Sequence, residues 1–208
     1  MRRGPARLVL ALMIVGLLVS SDLVARTVAE RRLAARVATA VPAADATSAH
    51  IHSFPFLARL LSSGHVSNVD VRVRGVEVRG LRFDSITVDL EGVQIDRTEL
   101  VGNGRVVVEK VTRGTVHAIV TEAAISQLTG VPVHLEAGRA SVTVFGREVG
   151  VDLAVRDARL VIGAAAGISL PGFDLVAPLL PCIPDAEILA GRVVLSCEFT
   201  DVPVELRV

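Results

Sequence analysis

Between Val69 and Ile95 apolar side chains recur at every second position, and that pattern leaves few folds open. Val69, Val71 and Val73 alternate with Asp70, Arg72 and Arg74, and Val76 and Val78 flank Glu77. Leu81 and Phe83, then Ile86, Val88 and Leu90, then Val93 and Ile95 continue it, with Gly75, Gly80 and Gly92 as punctuation. Successive residues of a strand face opposite sides, so this is the signature of antiparallel strands with one dry and one wet face. The alternation returns at Val133 and Leu135, at Val142 and Val144, and from Val149 to Val155. Phe145 to Glu148 is the expected turn between two of these strands, and Leu160 to Ile162, 192–199 and 202–208 add further strands. The total is about ten to twelve strands with no βαβ rhythm. The expected class is mainly β (α+β): a single domain with a long antiparallel sheet curled around short helices.

Three helices are expected. Thr121 to Thr129 has Thr121 as N-cap and Gly130 as its stop. Phe54-Pro55-Phe56-Leu57 leads into a short apolar helix that ends at Ser62-Ser63-Gly64. Over 22–41, Ala25, Ala29, Leu33, Val37 and Val41 make one stripe, with Asp22 as the expected N-cap and Arg26, Arg31, Arg32 and Arg36 on other faces. That basic helix either lies on anionic headgroups or docks on the domain with its Arg face in water.

Arg2, Arg3 and Arg7 precede the uncharged run Leu8 to Ser21, the form of an export signal; extension past Asp22 allows an uncleaved anchor. The chain therefore divides into 1–25 as signal peptide or signal anchor, 26–50 as basic amphipathic helix and connector, and 51–208 as a β-rich lipid-binding domain. The expected location is outside the cytoplasm, in the periplasm or at the outer face of the cytoplasmic membrane. An oxidising compartment makes Cys182 and Cys197 a candidate disulfide.

Net charge is zero, but 1–41 carries seven Arg against Asp22 and Glu30. A basic arm on an acidic body is not the footprint of a nucleic-acid binder, whose basic patch lies on the folded domain. Aromatics are 3% with no Trp or Tyr, which disfavours sugar platforms and base stacking. No nucleophile elbow, zinc-protease motif, phosphate loop or paired-cysteine motif is present. His50-x-His52 has no third ligand nearby, and Asp70, Glu77, Asp84, Asp89 and Asp96 are the outward partners of inward apolar residues. The chain is read as non-enzymatic, with no catalytic residue, metal or cofactor.

What remains is apolar surface. Hydrophobic residues are 51% of the chain, and the segment 163–184 carries Asp174 as its one charge. Beside a membrane, an apolar mouth leading to a dry sheet suits a lipid carrier. Phe54, Phe56, Leu57, Leu60, Leu81, Phe83, Val88, Leu90, Leu170, Phe173 and Leu179 are its expected wall or mouth.

Several segments taken together resemble a known family. They are D-x-x-A-R-x-x-A-E from Asp22 to Glu30, F-P-F-L-x-x-L-L-x-G from Phe54, V-x-V-R-x-x-G-V-x-V-x-G-L from Val69, and I-T-V-D-L-x-G-V from Ile86. They are similar to the actinobacterial LmeA-like phospholipid-binding family, linked to lipomannan elongation. The resemblance implies a tubular lipid-binding-like β fold in an envelope protein whose partners are phospholipid, with phosphoinositides among the candidates, and the membrane surface. The competing reading is a non-enzymatic structural or interaction module of the envelope.

Overall fold

The computed structural model describes residues 4–78, 80–156, 159–164, 173–174 and 182–200. One long helix, α1 (Gly4–Ala40), opens the chain. The export segment and the basic helix expected from Asp22 are thus continuous, and Asp22 is not an N-cap of α1. After the turn at 41–45, β1 (Ala46–His52) runs back along α1 where a connector was expected. Then come α2 (Phe56–Ser63), the long hairpin β2 (His65–Val78) and β3 (Leu81–Ile95), α3 (Arg97–Asn103), β4 (Val108–Lys110) and β5 (Arg113–Thr121). The chain continues through α4 (Glu122–Thr129), β6 (Val133–Glu136), β7 (Arg139–Val144), β8 (Arg147–Arg156) and β9 (Arg159–Ala164). β10 (Phe173–Asp174), β11 (Asp185–Leu189) and β12 (Arg192–Phe199) complete the described elements. The strand expected at 202–208, and most of the apolar segment 163–184, lie outside the described residues.

The strands form two antiparallel sheets, neither closed into a barrel. The larger has the order β1-β2-β3-β5-β12-β11 with β4 beside β3, and the smaller β10-β9-β8-β7-β6. β2 and β3 run through Gly75 and Gly92, which the alternation alone marks as breaks. Pairing holds from His65 opposite Gln94 to Val78 opposite Leu81. The inward parity nevertheless skips one residue on both strands at once, at Ser67/Gly92 and at Gly75/Asp84. Gly75 (φ 60°) and Gly92 (φ 61°) take the left-handed backbone this requires. A Cβ at Gly75 would also collide with the Asp45 carboxylate, and one at Gly92 with the Thr112 hydroxyl. The skips keep the apolar residues of both strands on one face of the ribbon.

The core has two parts. The larger joins the sheets to α4 and contains Val76, Leu81, Phe83, Val116, Ile125, Leu135, Leu160 and Leu195. The smaller holds Ile51, Phe56, Val66, Val69, Val93 and Val111 under α1 and α2. The stripe on α1 spans both: Ala25, Ala29 and Leu33 pack on the smaller part, and Val37 and Val41 on the larger. Of the two readings of this helix, the structure has the docked one. Cys182 and Cys197 are joined as a disulfide with their Cα atoms 5.9 Å apart, tying the approach to β11 onto β12.

Candidate functional site

α1 is held to the sheet by carboxylates as well as by its apolar stripe. Asp22 is only 5% exposed, and its two oxygens accept hydrogen bonds from the first turn of α2, from Phe56 N at 3.0 Å and Leu57 N at 2.7 Å. Pro55, at the N-cap position of α2, supplies no side-chain acceptor, so a residue of another helix caps this one. One turn pair further along, Glu30 Oε1 accepts from Ile51 N at 2.8 Å and from Arg26 Nε at 3.2 Å. Ile51 belongs to an edge strand, whose outer N–H groups need a partner. Asp22, Ala25, Arg26, Ala29 and Glu30 thus work as one docking face.

On the apolar face of the large sheet, most inward residues are sealed. Leu81 is 4% and Phe83 5% exposed, inside the larger core, and Phe56 is buried in the smaller one. Between the two parts, Val71, Val88 and Leu90 are only partly buried. Val71 lies opposite Val88, and Leu90 opposite Val69 on one side and Gly114 on the other. Phe199, itself half-exposed, lays its ring against Gly114, where a Cβ would strike it. The result is an apolar strip across β2, β3, β5 and β12 that no described side chain fully covers.

Of the expected wall and mouth residues, the structure therefore brings Val88 and Leu90 together on this strip and places Leu81 and Phe83 in packed core. Leu57 and Leu60 are half-buried against the smaller core, and Phe54 is 61% exposed beside α2. Phe173 lies in β10 opposite Leu160. Leu170 and Leu179 fall outside the described residues. Val71, whose alternation puts it on the same dry face, joins Val88 and Leu90 on the strip, and so does Phe199, which was not among the expected residues and whose signal was its inward parity with Val193, Leu195 and Cys197. A cleft of about 330 Å³ between the β2–β3 turn and α4 is lined by Glu77, Arg82 and Gln127 with Gly80, Ala124 and Leu128, a polar lining unsuited to acyl chains.

The wet face is less uniform than the alternation implies. Asp70 and Asp89 are direct cross-strand partners, with His52 Nε2 at 2.7 Å from Asp70 Oδ2. Burial, then the hydrogen bond that the protonated Asp89 carboxyl donates to Asp70 and the Asp70 charge, shift the Asp89 carboxyl upward from its usual value, against the pull of His117 and Arg72.

Neither the curated proteins nor the solved structures contain a significant match to this chain. A family model described as LmeA-like phospholipid-binding matches residues 21–208, which starts at the last residue before Asp22 and takes in both sheets, both core parts and the strip. The chain belongs to the LmeA-like phospholipid-binding family.

Proposed function

We propose that phospholipid acyl chains lie on the strip formed by Val71, Val88 and Leu90, next to Phe199, and that the protein acts by binding or carrying lipid, not by catalysis. The observation that carries this is the incomplete burial of three aliphatic side chains between two sealed parts of the core. Such residues gain about 25 cal/mol for each Å² removed from water, and each acyl methylene covering them gains about 0.8 kcal/mol. A site of this kind binds tails strongly and is undemanding about headgroups, phosphoinositides included.

α1 is long and apolar enough to cross a membrane by length and composition, and its exposed apolar run supports retention at the outer face of the cytoplasmic membrane. The disulfide supports an exported protein. The role that follows is an envelope phospholipid binder serving lipid or lipoglycan metabolism.

The test is mass spectrometry of lipid extracted from purified protein. Leu90→Asp puts a carboxylate under the tails and should remove bound phospholipid from a folded protein. Asp89→Asn, on the other face of the same strand, should leave it in place. A folded Leu90→Asp protein with its full complement of lipid would move the strip out of the site and the interaction-module reading ahead.

A further inference from the structure

Outside α1, six large apolar side chains are strongly exposed among the described residues. Four of them sit on two segments at one end of the molecule: Phe54 (61%) and Leu61 (58%) on and beside α2, and Val101 (72%) and Val106 (41%) on and after α3. The β2–β3 register brings these segments together, since β2 leaves α2 at the point where β3 enters α3. Three hydrogen bonds lock them: Ile95 N to Gly64 O at 2.8 Å, Gln94 Nε2 to Ser63 O and Arg97 Nη1 to Ser62 O, both at 2.6 Å. The same end carries exposed Arg59, Arg97, Arg105 and Lys110.

The position of this end along α1 is fixed. Asp22 caps α2, so the first turn of α2 lies level with residue 22. Below that level, the uncharged run 8–21 of α1 measures about 21 Å at about 1.5 Å per residue, and Leu23 and Val24, also exposed, lengthen the apolar stretch toward the roughly 30 Å of a hydrocarbon core. Above it, α1 is docked on the sheet as far as Val41. The uncharged run therefore ends where α2 begins, with exposed Leu23 and Val24 at the same level, so the exposed residues of α2 and α3 stand at the membrane interface.

Resting on the reading that α1 is retained in the membrane, we propose that Phe54, Leu61, Val101 and Val106 form a docking rim that seats this end of the domain on the leaflet from which α1 emerges. Their side chains enter the interface, and Arg59, Arg97, Arg105 and Lys110 meet anionic headgroups. The carboxylate clips at Asp22 and Glu30 make α1 a rigid post, so the domain stands on the bilayer in one orientation instead of swinging on a tether. The β2–β3 ribbon then points away from the membrane, with Glu77 about 40 Å from His65 at 3.3 Å per residue.

The experiment uses the full chain with its native disulfide, reconstituted into vesicles of phosphatidylcholine and phosphatidylglycerol in equal parts. Leu61→Cys, Val101→Cys and Val106→Cys each carry a fluorophore, with Glu77→Cys as the distal control; all four positions are exposed, so no core is disturbed. A lipid nitroxide placed just below the headgroups should quench the three rim labels severalfold more than the label at 77. Equal quenching at rim and control, in protein that floats with the vesicles, overturns the rim and leaves the lipid-binding strip intact. Failure to float overturns the retained anchor, and the rim with it, whereas bound phospholipid measured on the same samples reports on the strip alone.

Discussion

Asp22→Ala should loosen one helix by removing a residue of another. The carboxylate is buried, and both oxygens are engaged by N–H groups of α2 that have no acceptor on Pro55. A hydrogen bond to a charged acceptor contributes about 1.5–3 kcal/mol, and loss of a helix cap costs about 0.5–2 kcal/mol. The two bonds share one carboxylate and are not additive, so about 3 kcal/mol is the expected loss. In a chain of this size that corresponds to about 6–12 °C in melting temperature. Asp22→Asn keeps one acceptor oxygen but turns an amide donor toward the other N–H, and should lose at least half as much.

The assay pairs thermal unfolding of the detergent-solubilised full chain with amide hydrogen exchange. Exchange should rise over 53–64 and along the docked half of α1, and stay unchanged in β3, β5 and β12, which never touch Asp22. A variant melting within about 1 °C of the parent would refute the trans-capping argument, because a buried acceptor of two donors cannot be lost so cheaply. Loss of protection spread evenly over the sheet would refute its locality.

Thiol counting under denaturing, non-reducing conditions should find no free thiol, and replacing both Cys182 and Cys197 by Ser should cost about 3 kcal/mol in the chain-entropy account of a fifteen-residue loop. Asp89→Asn should stabilise the fold toward neutral pH. The folded carboxyl titrates above its unfolded value, so its contribution is fully present in acid and is lost as pH rises through the folded value. Unfolding midpoints followed from about pH 3 to pH 7 should therefore diverge in favour of the variant, and parallel curves would show that folding does not raise the Asp89 carboxyl.

What could be read from the sequence was whatever local chemistry determines. α4 follows from Thr121, whose hydroxyl accepts from Ala124 N at 3.3 Å, and from Gly130 at φ 71°. The β7–β8 turn follows from Phe145-Gly146, and the α1 stripe from its spacing of four. α3 was missed because Arg97–Asn103 has no apolar periodicity, yet Asp96 accepts from Thr98 N and Glu99 N and Gly104 closes the helix. Asp-x-x-Glu followed by Gly was the available signal, and reading it would have found Val101 and Val106. Asp22 was legible as a cap but not as whose cap, since its target lies 34 residues away. The strip posed the same difficulty: Leu81 and Val88 alternate alike, and only the placement of α1, α4 and the second sheet decides which is sealed and which is left half-open.

That division has a cause in the shape of the large sheet. The parity skips at Gly75 and Gly92 bend the β2–β3 ribbon at two points, and each bend presents its apolar residues to a different cover. Val66 and Val93 meet α2, while Val76, Leu81 and Phe83 belong to the part that includes α4 and the small sheet. Between the bends, Val69 belongs to the smaller part and Val73 and Ile86 to the larger, and Val71, Val88 and Leu90 lie where the two parts meet. α1 brings small side chains, Ala25 and Ala29, onto the smaller part beside the Glu30–Ile51 hydrogen bond. A larger residue at either alanine should push α1 off the Glu30–Ile51 hydrogen bond, because the helix must sit close to β1 for Glu30 to reach the edge strand. Faster amide exchange at Ile51 in an Ala29→Leu variant is the expected result, and unchanged exchange there would show that the two alanines do not set that distance.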